Sequence, residues 1–183
     1  FGDTLAMSKA PVGVDDPSRL VKPHNDGANP YGDLFPDFIM LVCEKGAESG
    51  GESYMLDAHD MIQAMEPEVK RWFLETPLET KEFDKRDGKM TTWRSPALQQ
   101  CTGTGRWRVR APIDGAADGG PVLDQPCGEP EGVAQGKAVI SAWQQALLTA
   151  GPAAPRFKLQ PGQALICDNY RIMHGREPHF GER

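Results

Sequence analysis

The stretch His24-Asn25-Asp26 is the most informative part of this sequence for predicting its fold. In an extended segment, residues i and i+2 project from the same face, so the imidazole of His24 and the carboxylate of Asp26 would stand side by side. Turn-forming dipeptides follow at once, Asp26-Gly27 and Asn29-Pro30, which predicts that the pair ends a short strand and enters a loop. Polar side chains at such a junction are more typical of a site than of a core.

A third candidate ligand, His174, lies 150 residues downstream of His24. Two His and one carboxylate with open coordination positions are the donor set of non-haem Fe(II) oxygenases, and the same donors also bind Zn(II). A His-x-Asp triplet alone often arises by chance, so its surroundings must decide. The other two histidines, His59 and His179, belong to no motif, and we expect both on the surface.

Short apolar segments predict a mainly β chain. Residues 38–43 are apolar without interruption, which favours a fully buried strand. Residues 52–57 predict a returning strand, so that 38–57 would form a hairpin-like pair. Further strands are expected at 106–110, at 164–167 and at 170–174, the last two joined by a tight turn at Asp168-Asn169. Three Arg would share one face of the strand at 106–110, which would be a solvated face or could hold an anionic substrate.

Helices are predicted between these strands. Asp57 is a candidate N-cap for a first helix, and Pro67 would begin a second that Pro77 ends. Residues 133–150 show the clearest amphipathic stripe, which Gly151-Pro152 should terminate. Short strands with two or three inserted helices predict a double-stranded β-helix, a jelly-roll or cupin-like barrel.

Length and composition narrow the function classes. The 183 residues suffice for one domain, and 20 Gly with 16 Pro favour turns and short strands. A net charge of −6 argues against nucleic acid or an anionic membrane as the main partner, and no apolar run approaches the roughly 20 residues of a membrane span. The four Cys form no Cys-x-x-Cys pair, so we expect reduced thiols in a cytoplasmic protein.

Several motifs occur in the order of a known family. After His24-x-Asp26 come Gly50-Gly51-Glu52-Ser53, Pro161-Gly162-x-Ala164-Leu165, Asp168-Asn169-x-Arg171 and His174-Gly175-Arg176. Together they resemble the Fe(II)/2-oxoglutarate-dependent dioxygenases of the taurine dioxygenase superfamily, and within it the clavaminate-synthase-like branch. The resemblance runs from residue 20 to the C-terminus and is weakest over residues 80–135.

The resemblance implies a site and a chemistry. His24, Asp26 and His174 would bind Fe(II) as the catalytic centre, while Ser53 and Arg183 would contact the carboxylate of 2-oxoglutarate. With O2, such enzymes oxidise a C–H bond of a small molecule, for example an amino-acid-like biosynthetic intermediate, and release succinate and CO2. Related halogenases have a small residue in place of the carboxylate, so Asp26 favours hydroxylation, desaturation or cyclisation.

Two other functions remain open from the residues themselves. A Zn-dependent hydrolase on a cupin-like barrel could use the same ligands, although Ser53 and Arg183 would then have no role. A non-catalytic ligand-binding barrel would show no dependence on 2-oxoglutarate. We expect residues 1–183 to form a single oxygenase domain that is incomplete at both ends, with a long loop or lid at 113–132; the oligomeric state stays open.

Overall fold

The architecture is mainly β, with three α-helices among the residues that the structure describes. The structure is a computed structural model and describes residues 20–26, 36–84, 89–110, 124–126 and 130–180. The strands are β1 Val21–His24, β2 Phe38–Val42, β3 Ser49–Gly50, β4 Ser53–Asp57, β5 Pro77–Asp84, β6 Lys89–Pro96, β7 Leu98–Gln100, β8 Trp107–Val109, β9 Asp124–Pro126, β10 Arg156–Phe157, β11 Ala164–Asp168, β12 Ile172–Arg176 and β13 His179–Phe180. The helices are α1 Ala58–Gln63, α2 Pro67–Glu75 and α3 Pro130–Ala150. None of these helices is long and apolar enough to cross a membrane.

A four-stranded sheet of order β1-β12-β4-β10 organises the molecule. Its strand pairs are antiparallel. Smaller sheets pair β11 with β2, β13 with β3, β7 with β8, and β5 with both β6 and β9. The predicted hairpin over 38–57 is wrong, because β2 pairs with β11 and β4 pairs with β12 and β10. Each partner lies more than 100 residues away along the chain, so local spacing carries no signal for these pairings.

The main sheet has one face in the core and one face at the candidate site. Tyr54, Leu56 and Met173 are buried on the core face, where they join a hydrophobic cluster with α2 and α3. The α3 residues in that cluster are Ile140, Trp143 and Leu147. Because side chains alternate along a strand, the residues between them point to the opposite face. His174 is one of these, so its position between two core residues directs it away from the cluster.

The strand predicted at 38–43 forms, but it is not fully buried. In β2, Phe38, Met40 and Val42 are 61%, 51% and 56% exposed, whereas Ile39 is buried. The partner strand shows the same alternation, with Ile166 exposed and Cys167 buried. β2 and β11 form a two-stranded sheet of their own. The prediction made from the continuous apolar run therefore overestimated how much of this strand is buried.

Other segments differ from their predicted boundaries. The last site strand begins at Ile172, and residues 169–171 form the turn before it. Within the predicted loop at 113–132, β9 occupies Asp124–Pro126 and α3 begins at Pro130, so those parts are not loop. Residues 111–123 and 127–129 lie outside the described part of the chain, and a lid there stays a prediction.

The predicted basic face at 106–110 is solvated only in part, since Arg106 is exposed and Arg110 is buried. Arg106 forms an ion pair with Asp168. The Arg108 guanidinium lies 5.5 Å from the centre of the Tyr170 ring. Arg110 is buried, at 2% exposure, and its backbone N–H donates to the carbonyl of Ala97. These contacts join β8 to neighbouring segments, so the arginines contribute to packing within the fold.

The three predicted helices form. Asp57 caps α1 as expected, because its side chain accepts a hydrogen bond of 2.9 Å from the backbone N–H of His59. Pro67 is the first residue of α2, which ends at Glu75 before the strand that Pro77 begins. The best-patterned helix is three residues longer than predicted, from Pro130 rather than residue 133.

Asp57 also contacts Arg171, so one carboxylate links the start of α1 to the turn before β12. Burial raises the pKa of Asp57, but the hydrogen bond from Arg171 and the backbone N–H groups of His59 and Asp60 outweigh it, and the pKa lies below its usual value. A lowered folded-state pKa means that the ionised carboxylate stabilises the fold above the unfolded pKa, and that this stabilisation is lost as pH falls through the folded pKa.

Asp57→Ala should therefore lower the free energy of unfolding by about 1 kcal/mol at neutral pH, the usual effect of losing an N-cap. Asp57→Asn retains a cap acceptor and loses only the charge opposite an exposed Arg, so its effect should be smaller. Urea unfolding of both variants from neutral to acidic pH measures this. A deficit of Asp57→Ala that persists undiminished at pH 2 to 3, or an equal deficit in Asp57→Asn at neutral pH, would contradict the cap assignment.

Candidate metal centre

The structure brings together the three residues that the sequence singled out as metal ligands. One donor atom from each of His24, Asp26 and His174 lies within 4.8 Å of the others. The Nε2 atom of His24 is 3.3 Å from Oδ1 of Asp26, and Nε2 of His174 is 3.8 Å from the same oxygen. Within the described ranges, this is the one group of at least three His, Cys, Asp or Glu side chains close enough to hold a metal ion.

Strand pairing places the two imidazoles. His24 lies directly opposite His174 across the antiparallel β1–β12 pair, so both side chains stand on one face of the sheet. Their ring centres are 4.5 Å apart, and the ring planes are tilted by 45°. The register shifts between Val21 and His24, in the part of β1 that contains Pro23, a residue without an N–H to donate to the ladder.

A backbone contact orients His24 for binding a metal through Nε2. Its Nδ1 lies 2.8 Å from the carbonyl oxygen of Lys22, an acceptor, so Nδ1 carries the proton in this contact. The other ring nitrogen, Nε2, faces Asp26. Metal-bound histidines in proteins are commonly held this way, with the second ring nitrogen donating to a carbonyl or carboxylate.

The charges of the cluster suit a divalent cation. The hydrogen bond with His24 lowers the pKa of Asp26; burial opposes this shift and the neighbouring imidazoles add to it. Burial and then the proximity of His24 lower the pKa of His174 to about 4, against the opposing effect of Asp26. At neutral pH the group therefore offers a carboxylate and a neutral buried imidazole. The Nδ1 of His174 is buried and has no hydrogen-bond partner among the described residues.

The same sheet face extends from the ligands toward Ser53. On β4, Met55 lies opposite His174, and Ser53 lies opposite Arg176, so these side chains share the ligand face. Gly50 and Gly51 precede β4 with φ of 67° and 76°, a conformation that favours glycine. Ser53 is thus a neighbour of the cluster on its own sheet. Arg183, the second predicted carboxylate contact, lies outside the described residues.

The burial of three polar residues was not predicted from the sequence. Asn25 and Asn169 are buried, at 4% and 0% exposure, although the first had no predicted role and the second was assigned to a turn. His179, expected on the surface, is 6% exposed because β13 pairs with β3 and brings it against Gly51. In the sequence Asn25 is only a polar residue between His24 and Asp26, and its neighbours do not indicate that it is buried.

The sequence and the fold were compared with known proteins. The sequence profile described as "Taurine catabolism dioxygenase TauD, TfdA family" matches residues 4–183. Among solved structures, an asparagine oxygenase in complex with Fe(II), 2S,3S-3-hydroxyasparagine and succinate is similar over 91% of this chain and 46% of its own, with 20% identity and a TM-score of 0.62.

Two other solved structures are similar. PvcB of Pseudomonas aeruginosa matches over 94% of this chain and 55% of its own, with 16% identity and a TM-score of 0.61; a second structure describes PvcB as an Fe, alpha-ketoglutarate-dependent oxygenase from an isonitrile synthetic pathway. AAD-2 in complex with Mn(II) and N-oxalylglycine matches over 86% of this chain and 62% of its own, with 12% identity and a TM-score of 0.64.

These likenesses establish the fold. The predicted double-stranded β-helix is confirmed by the agreement of most of this chain with proteins of that architecture. The chain spans roughly half of the length of the first two solved proteins it matches, 46% and 55%. Identities of 12% to 20% show common architecture, and chemistry has to be argued from the site.

Proposed function

Because this chain belongs to the taurine catabolism dioxygenase TauD, TfdA family, we propose that it is an Fe(II)/2-oxoglutarate-dependent dioxygenase that oxidises a C–H bond of a small molecule. The observation that carries the proposal is the convergence of the His24, Asp26 and His174 donor atoms within 4.8 Å of one another. Two residues of this set come from one end of the described chain and the third from the other end, so the fold itself creates the group.

The residues fit Fe(II) by their chemistry. Two neutral imidazoles and one carboxylate are the donors of the facial triad, which leaves positions open for a chelating oxo-acid and O2. His24 presents Nε2 because the Lys22 carbonyl engages Nδ1, and His174 stays neutral because burial lowers its pKa to about 4. Asp26 stays ionised beside them. Asp26 and His174 therefore have at neutral pH the deprotonated state that a metal ligand needs.

Fe(II) bound with 2-oxoglutarate and O2 would supply the oxidising chemistry, with succinate and CO2 as products. This chain's residues hold and orient the reactants. We assign metal binding to His24, Asp26 and His174. We assign the carboxylate of 2-oxoglutarate to the Ser53 hydroxyl, which shares the sheet face of His174, and to Arg183, whose guanidinium could bind a carboxylate with two hydrogen bonds.

The substrate class follows less directly. We propose an amino-acid-like small molecule, and the likeness to an asparagine oxygenase complexed with a hydroxylated amino acid supports this class. We expect hydroxylation, desaturation or cyclisation rather than halogenation, since Asp26 occupies the position that a halide would need. Hydroxyasparagine itself belongs to that relative, and the substrate here is to be found by screening free and carrier-linked amino acids.

An anaerobic titration tests the proposal. Addition of Fe(II) and then 2-oxoglutarate should produce a weak visible charge-transfer band, and admission of O2 should bleach the band and release succinate. Protein loaded with Zn(II) is the control and should show neither, which also separates an oxygenase from a Zn-dependent hydrolase. Protein that binds Fe(II) yet shows no band and no succinate above the Zn(II) control would refute the proposed function.

A further inference from the structure

The Asn169 side chain forms three hydrogen bonds beside the candidate metal centre. It is fully buried, at 0% exposure, in the turn between β11 and β12. Its Oδ1 accepts a 3.0 Å hydrogen bond from the backbone N–H of Asp26, and its Nδ2 donates to the backbone carbonyl of Asp26 at 2.8 Å. One side chain thus engages both backbone groups of a candidate metal ligand 143 residues away.

Two further contacts complete the role of this side chain. Nδ2 also donates to the carbonyl of Pro36 at 2.9 Å, so both amide hydrogens of Asn169 are used. The backbone N–H of Asn169 donates to the carbonyl of Asp37 at 2.8 Å. Asn169 therefore connects the turn before β12 to two other segments, namely Asp26 after β1 and Pro36-Asp37 before β2.

Asn25 makes the return contact. Its Nδ2 donates to the backbone carbonyl of Asn169 at 2.7 Å and to that of Ile172 at 3.3 Å. Ile172 is the first residue of β12, the strand that carries His174. The residue between His24 and Asp26 is thus bonded to the strand of the third ligand, and the two asparagines hold each other's chain segments in a reciprocal pair.

Turn geometry does not account for Asn169. Asparagine often occupies turns because it tolerates positive φ, but no described residue other than glycine has a positive φ. The turn is held instead by Asp168, whose Oδ1 accepts from the N–H of Tyr170 and whose carbonyl accepts from the N–H of Arg171. The Asn169 side chain is directed away from its own turn and toward Asp26.

We propose that Asn169 and Asn25 are positioning residues that hold Asp26 in place for metal binding and couple the two halves of the ligand set. Asp26 lies beyond the end of β1, and its backbone is held by the two hydrogen bonds with the Asn169 side chain. An amide side chain both donates to and accepts from the Asp26 backbone, which neither a carboxylate nor an aliphatic side chain of similar size can do. The inference rests on the proposed function, since it requires Asp26 to be a metal ligand.

The test measures metal affinity in a double-mutant cycle of Asn169→Ala and Asp26→Ala. Co(II) is the probe, because its visible absorption reports binding and coordination and it binds such sites more tightly than Fe(II). Outer contacts of ligands typically change metal affinity by about 10- to 100-fold, so Asn169→Ala should weaken Co(II) binding by that factor. In the Asp26→Ala background the same substitution should change affinity by less than about threefold, because the carboxylate that Asn169 is proposed to position is gone.

The outcomes separate this inference from the proposed function. If Asp26→Ala weakens Co(II) binding and Asn169→Ala does not, only the positioning role is overturned. If Asn169→Ala weakens binding equally in both backgrounds, it acts through general loss of structure and the role is again overturned. If Asp26→Ala leaves Co(II) binding unchanged, the ligand assignment fails and the positioning role fails with it.

Amide hydrogen exchange provides a readout that needs no metal. In the wild-type protein the Asp26 N–H should be protected, because it donates to Asn169, and Asn169→Ala should make it exchange freely. The N–H of Ala58, which donates to the carbonyl of Arg171, is the internal reference and should stay protected. If Asn169→Ala does not fold, Asn25→Ala removes the return contact and should weaken Co(II) binding in the same cycle; unchanged affinity would overturn the inference.

Discussion

Replacing His174 with alanine should abolish turnover and weaken metal binding by more than about 100-fold. The contacts that merely orient a ligand change affinity by about 10- to 100-fold, so loss of a donor atom should exceed that range. In the proposed centre His174 is the ligand from the second half of the chain, and two donors from His24 and Asp26 cannot hold three positions of one coordination face. Co(II) titration and succinate release under saturating Fe(II) and 2-oxoglutarate measure the two effects.

The fold should survive this substitution. His174 is 8% exposed, but its buried Nδ1 has no hydrogen-bond partner among the described residues, so alanine breaks no such bond at that atom. His59→Ala is the matched control, because His59 is outside the ligand group, and it should retain metal affinity and succinate release. Metal affinity of His174→Ala within threefold of wild type, in protein that unfolds cooperatively, would remove His174 from the site.

Replacing Gly175 with alanine should destabilise the sheet that carries the ligands. A Cβ at this position would lie 2.5 Å from the Tyr54 hydroxyl and 2.5 Å from the carbonyl oxygen of Val21, with the Tyr54 ring closer still. The hydroxyl of Tyr54 donates to that same carbonyl at 2.8 Å, so the ring crosses Gly175 and bonds β4 to β1. Overpacking of a tight interior typically lowers stability by about 1–3 kcal/mol, and we expect a value in that range.

The clash at Gly175 should also affect the candidate metal centre. Moving Tyr54 away from Val21 would loosen β1, which carries His24 at its end, so Gly175→Ala should weaken Co(II) binding as well as lower the free energy of unfolding in urea. Gly103→Ala is the control, because a Cβ there meets nothing within 4 Å, and it should change neither quantity. Combining Gly175→Ala with Tyr54→Ala should be less harmful than the sum of the two, since Tyr54→Ala removes the ring that the new Cβ would meet. Simple additivity would contradict the proposed contact.

Tyr54 remains a donor in this arrangement at every physiological pH. Burial and then the charge of Glu177 raise the pKa of its hydroxyl to about 12, against the opposing effect of Arg156. The phenol therefore keeps the proton that it donates to Val21. The hydrogen bond from Tyr54 to Val21 should therefore stabilise the fold equally at every pH in the neutral range.

Local chemistry was readable from the sequence. The His24-x-Asp26 spacing predicts two ligands on one face because side-chain direction repeats every two residues in a strand. The cap at Asp57 and the start of α2 at Pro67 follow from the hydrogen-bonding needs of a helix N-terminus, which involve only neighbouring residues. The class of fold followed from the pattern of short strands, and the order of the motifs identified the family.

Pairing and burial were decided by the tertiary structure. The apolar run at 38–43 could not reveal that β2 pairs with β11 and leaves Phe38, Met40 and Val42 exposed, because burial depends on what covers a strand. The sequence assigned Asn169 to a turn, since nothing nearby in the chain shows the Asp26 backbone that it holds. The choice of His24 and Asp26 as candidate ligands came from local spacing. Their proximity to His174 comes from the β1–β12 register and the Asn25–Asn169 contacts, which join segments about 150 residues apart in the sequence.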